Sequence, residues 1–117
     1  MNARTIGFRF REAVSLYFAW GGFDARPRKE KTKISESILE DQEFSHIVGI
    51  DDFAIVCSAS TAYNSLSGSL SRAQEAAGNE NASHAVVVQA RKGKSVAESF
   101  AIMGFADFVR LIEKKNS

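Results

Sequence analysis

The side chains of this 117-residue chain that could do chemistry form two sets, one cationic and one of scattered carboxylate, imidazole, thiol and hydroxyl groups. Arg26, Arg28, Lys29, Lys31 and Lys33 crowd into eight positions against a single acid, Glu30. Arg91, Lys92 and Lys94 form a second cluster around Gly93. Cations at this density suit contact with phosphates, and each phosphate neutralised adds salt dependence to binding. The competing reading is a solvated charged loop, because Glu36, Glu40, Asp41 and Glu43 follow and would partly cancel the field. Net charge does not decide between them. With 15 Lys+Arg against 14 Asp+Glu the chain carries +1, so any attraction to a polyanion must come from a local patch.

In the second set, Glu12 is a candidate site carboxylate, although glutamate is also ordinary on the wet face of an amphipathic helix. His46 has the chemistry of a transition-metal ligand, yet no certain second ligand stands beside it, which favours a satisfied strand-edge histidine. Cys57 lies among core-type residues and reads as a small buried apolar group, and Ser58 has no evident base partner. One cysteine excludes an intrachain disulfide and a cysteine-rich zinc site, so the expectation is a reducing, cytoplasmic setting. The apolar run over 13–20 is interrupted by Ser15 and too short to cross a bilayer, and Arg4 and Arg9 stand where a secretory signal would need an apolar core. No membrane partner is expected.

The elements that must position these groups follow from periodicity. Phe10, Ala13, Val14 and Tyr17 recur at helical spacing and predict a first helix over about 7–20, stopped by Gly21-Gly22. Phe23 and Ala25 predict a short strand before Pro27, and the charged stretch over about 26–44 reads as a mobile insertion. Residues 46–50 and 53–57 are rich in β-branched and aromatic types and flank Asp51-Asp52, which reads as a hairpin or a bulged pair of strands. A second helix is expected over 66–77, ending at Gly78, with Leu70, Ala73, Ala76 and Ala77 as its packing face; Ser71 and Gln74 have the spacing of a capping box. Residues 85–88 read as a central strand, 92–94 as a turn, 100–103 as another strand, and Phe105, Phe108, Val109, Leu111 and Ile112 as a closing helix. The order α-β-β-β-α-β-β-α predicts an α/β (α+β) domain over 1–117 with a single mixed sheet flanked by helices.

The segment Phe8-Arg9-Phe10-Arg11-Glu12, then Gly22-Phe23-Asp24-Ala25-Arg26, resembles the opening of the Holliday-junction resolvases of the PD-(D/E)XK nuclease superfamily. Residues 45–50 and 53–58 look like that family's second and third strands, and 72–77, 85–88, 100–103 and 107–112 follow its closing order of helix, strand, strand and helix. The resemblance implies a restriction-endonuclease-like core and a homodimer, with a metal-binding aspartate at the position of His46, a glutamate at Val56 and a lysine at Ser58; only the helix glutamate, Glu12, is kept. Magnesium needs carboxylate oxygens, which valine lacks, and losing one positioned charge-stabilising group costs roughly 10²- to 10³-fold in rate. The expectation is therefore a vestigial site at Glu12, His46, Val56 and Ser58 without cofactor, on a domain that binds DNA through Arg26, Arg28, Lys29, Lys31, Lys33, Arg91, Lys92 and Lys94, or binds a partner protein. Two alternatives stand beside it. One is an active Mg²⁺- or Mn²⁺-dependent endonuclease in which Glu12 and His46 act with Glu36, Asp41 or Glu43. The other is a phage or mobile-element module that blocks a protein, marked by an exposed apolar patch.

Overall fold

Alternating apolar residues along two neighbouring strands set the layers of the molecule. The structure, a computed structural model, describes residues 3–28 and 44–116. The run of charge over 29–43, including Lys29, Lys31, Lys33, Glu36, Asp41 and Glu43, lies outside the described residues. The described elements are α1 (Ala3–Trp20), β1 (Arg26–Pro27), β2 (Ile47–Val48), β3 (Phe53–Ser58), α2 (Leu66–Glu80), β4 (His84–Gln89), β5 (Phe100–Ile102) and α3 (Phe105–Asn116), with 3₁₀ turns at Tyr63–Ser65 and Val96–Glu98. They form one mixed sheet, as the sequence predicts, of five strands in the order β1-β2-β3-β4-β5. β3 and β4 are parallel, joined through α2, and every other neighbouring pair is antiparallel.

Successive strand residues point to opposite faces. On one face Ala54, Val56, Ala85 and Val87 meet Ala73, Ala76 and Ala77 of α2. On the other, Ile55 and Ile47 meet Val14 of α1, with Phe10, Phe18, Cys57, Val86 and Val88 around them. The alanine face of α2 lets its backbone lie close to the sheet. No helix among the described residues is long and apolar enough to cross a membrane.

Three local expectations are corrected. The strand predicted around 23–25 forms at Arg26–Pro27, so the start of the charged stretch belongs to the sheet. α2 passes through Gly78 to Glu80, because the left-handed residue that ends it is Asn81, at φ 56°, the type next best to glycine there. The Ser71–Gln74 capping box does not form, since α2 begins at Leu66 and thereby brings Ser69 and Leu70 against the core. A side-chain tie of that kind occurs instead at Ser95, whose N–H and hydroxyl both donate to Glu98 Oε1.

The predicted 51–52 hairpin turn carries more than its turn. Asp52 sits at φ 69°, a conformation tolerated best by Gly, Asn and Asp. Its Oδ1 accepts from Ser83 N–H at 2.9 Å, its Oδ2 accepts from Lys114 Nζ at 2.8 Å, and its carbonyl accepts from His84 N–H at 3.1 Å. Those bonds, chiefly the Lys114 ammonium and then Ser83, hold its carboxyl well below the usual range. One residue therefore ties the hairpin to the start of β4 and to α3.

Candidate nucleic-acid interface

Strand direction decides which loops share an end of the sheet. β1 and β2 are antiparallel, as are β2 and β3, so β1 runs the same way as β3 and β4. The chain that leaves β1 at Arg28 and the turn that leaves β4 at Arg91 therefore depart from the same end. They are separated laterally by three strand spacings, roughly 14 Å at ~4.8 Å each.

The cations at that end differ in freedom. Lys92 and Lys94 are exposed on the turn, which is closed by Lys94 N–H donating to the Arg91 carbonyl at 3.2 Å, with Gly93 at φ 71°. Arg91 is held beside them, its guanidinium 4.5 Å above the Phe100 ring centre and its Nη1 donating to the Glu98 carbonyl at 3.3 Å. A cation positioned this way loses little further freedom on meeting a phosphate. Arg26 is exposed and 3.7 Å from the Asp24 carboxylate. Arg28 is spent on the fold: Nε donates to the Ser45 carbonyl at 2.6 Å, Nη2 lies 3.5 Å from Glu80 Oε1, and the guanidinium covers the Phe44 ring. Glu80 Oε2 in turn accepts from Ser45 N–H at 2.6 Å, so Arg28 fastens β1 to the end of α2.

Compared with protein-family models, curated proteins and solved structures, the chain matches none.

The four residues of the expected vestigial site do not converge on one cleft. Val56 is 1% exposed and packed on the α2 side. Ser58 shares its parity on β3. His46 lies toward α1, where Cys57 N–H donates to its Nδ1 at 2.9 Å. That bond puts the proton of a neutral ring on Nε2, which faces Arg11 Nη2 at 3.3 Å, donor toward donor. Glu12 is on the outer side of α1, lining a shallow groove of about 310 Å³ with Ser15, Leu16 and Arg26. A hard divalent cation does not fit this set: valine offers no oxygen, the His46 Nδ1 lone pair is engaged, and burial pushes the Cys57 thiol up to about 12 despite the nearby Arg11 charge. No cluster of three or more His, Cys, Asp or Glu side chains suited to a metal occurs among the described residues.

A buried acid–imidazole pair is the feature that sequence reading missed. Asp107 Oδ1 lies 2.6 Å from His84 Nδ1, its Oδ2 accepts from Ala85 N–H at 2.9 Å, and Arg110 Nη2 stands 3.4 Å from Oδ1. The His84 ring stacks on Phe53 with centroids 4.9 Å apart, and its buried Nε2 has no hydrogen-bond partner among the described residues. Burial alone would raise the Asp107 carboxyl, but the Ala85 N–H, the His84 contact and the Arg110 charge together outweigh it and leave the carboxyl lowered. Its position beside Phe108 in an apolar helix was the available signal.

Asp107→Asn is expected to cost about 2 kcal/mol at neutral pH, the scale of a hydrogen bond to a charged group. Because folding lowers the Asp107 pKa, its contribution is full above the unfolded carboxylate value of about 3.9 and is lost as pH falls through the folded value. Urea titrations from neutral pH to about pH 2 check both parts, since the variant should lose less stability than the parent on the acid side.

Proposed function

We propose that this chain is a nuclease-like domain that binds nucleic acid without cutting it, through the loops at the end of the sheet where β3 and β4 finish. The observation that carries the reading is strand direction: the chain leaves β1 at Arg28 and β4 at the Arg91–Lys94 turn from one end of one sheet. Their lateral separation of roughly 14 Å corresponds to about four base-pair rises of ~3.4 Å along a duplex axis, within the reach of one DNA segment. Arg91 is already oriented by Phe100, and Lys92 and Lys94 extend from the same turn. The element order α-β-β-β-α-β-β-α agrees with the resolvase resemblance, and Val56 in the α2-side core supports binding over cleavage.

Fluorescence anisotropy with labelled duplex and four-way-junction DNA tests this. Lys92→Glu with Lys94→Glu is expected to weaken binding at least tenfold at about 50 mM salt and to flatten the salt slope by about 2, near 0.9 for each phosphate no longer neutralised. Either DNA should stay intact with Mg²⁺ or Mn²⁺. An absence of binding at low salt, or binding indifferent to the double substitution, would sink the proposal.

A further inference from the structure

The C-terminal half of α1 leaves two of its rings outside the core. Val14 and Phe18 pack on the sheet, whereas Tyr17 and Trp20 are exposed, Trp20 by 76%. Their rings lie 6.5 Å apart and are turned 56° to each other, so they form one aromatic surface along a turn of the helix. Tyr17 also lines an open pocket of about 210 Å³ together with Val88, Val96, Ala97 and Phe100. Phe100 is the ring beneath the Arg91 guanidinium, which stands 4.5 Å from its centre. Aromatic faces and an oriented cation therefore adjoin: Tyr17 and Phe100 share the pocket, and the Arg91–Lys94 turn reaches it at Phe100.

We propose that this pocket takes an unpaired base of a single-stranded nucleic acid, stacked on Tyr17, while Arg91, Lys92 and Lys94 hold the adjoining phosphates. The proposal rests on the nucleic-acid reading above and names the kind of strand. In a duplex the faces of each base are covered by its neighbours, so an exposed ring on the protein gains a stacking partner only from a base that is out of the stack. Charge complementarity selects this occupant over an apolar peptide. Among the described residues none that lines the pocket is charged, whereas three cations stand on the turn beside it. A nucleotide has that same division, a planar base joined to a negative phosphate, while an apolar peptide would fill the pocket and leave the cations unmatched. Glu98, the single acid over residues 90–103, is engaged by the N–H and hydroxyl of Ser95.

Trp20 is the chain's single tryptophan, so its fluorescence reports contact at this surface. Oligo(dT) of about 12 nucleotides at about 50 mM salt should quench it, and should bind about tenfold more tightly than an abasic strand of equal length, which keeps the phosphates and lacks the bases. Tyr17→Ala should remove that preference and Tyr17→Phe, which keeps the ring, should preserve it. Lys92→Glu with Lys94→Glu should weaken both strands alike. Oligo(rU) run in parallel distinguishes the source: a preference over the abasic strand shown by oligo(rU) alone assigns the pocket to RNA, and one shown by both assigns it to either strand. Equal binding of oligo(dT), oligo(rU) and the abasic strand overturns this inference, and if duplex DNA still binds through Lys92 and Lys94 the nucleic-acid reading stands without it. A preference for bases that survives Tyr17→Ala also overturns it. No binding of any strand at low salt overturns both, and a shift of Trp20 emission with phosphatidylserine vesicles in that case assigns the surface to a membrane.

Discussion

Val56→Glu, the change that would place at this position the glutamate of the nucleases the sequence resembles, is expected to destabilise the domain severely and to confer no cleavage. Val56 is 1% exposed and packed among Ala54, Ala73, Ala76 and Val87, so a glutamate there would enter the interface between β3 and α2. An ionised carboxylate with no partner in such a place either stays charged at high cost or takes up a proton. The added volume also pushes against an alanine face that has no slack. Together these effects should cost about 4 kcal/mol, against a total stability on the order of 5–15 kcal/mol for a domain. Urea denaturation and far-ultraviolet circular dichroism measure the loss, and a nicking assay with Mg²⁺ or Mn²⁺ measures any activity. A stable, metal-dependent Val56→Glu nuclease would show that Val56 borders a cleft and would overturn the placement of this strand.

Gly49→Ala is expected to be nearly as damaging, for a backbone reason. Gly49 has φ 97°, a conformation that residues with a Cβ rarely adopt, and a Cβ built there would overlap the Asp24 carbonyl oxygen and lie 2.8 Å from its carbon. Neither atom belongs to a side chain that can swing away. To make room, the chain before β1 must shift from β2, which disturbs the pairing of Arg26 with Val48. Strain of the left-handed conformation and the overlap together should cost about 3–4 kcal/mol. Gly22 is the comparison: it has φ 96° but open space around its would-be Cβ, so Gly22→Ala should lose only the conformational part, about 1 kcal/mol. Equal losses at the two positions in thermal melts would remove the steric part of the explanation.

The two substitutions also mark how far the sequence could be read. The hairpin around Asp51-Asp52, the Ala-lined helix and the strand over 85–88 were legible because each is declared by the residues next to it in the chain. Gly49 gave no such sign, since its crowding comes from Asp24, which lies 25 residues earlier and meets it only when β1 pairs with β2. The Asp107–His84 and Asp52–Lys114 ties were equally silent. Their partners are 23 and 62 residues apart, and nothing in the local pattern joins them.

The closing helix shows the same division. Phe105, Phe108, Val109 and Ile112 have the spacing of a core-facing stripe, and that spacing correctly predicts a helix. Which way the stripe turns was settled by Asp107 and Lys114, whose bonds to the body rotate it toward solvent. Similarly, the basic residues were visible as two clusters, but that the chain leaves β1 at Arg28 and β4 at Arg91 from one end of the sheet depends on β1, β3 and β4 running the same way.

Taken alone, the order of amino acids determined the kind and succession of elements, because helical and strand periodicities arise among neighbours within a few residues. Only the folded chain decided which face each element buries and which charged groups are already engaged, because those outcomes come from pairings between residues far apart in sequence.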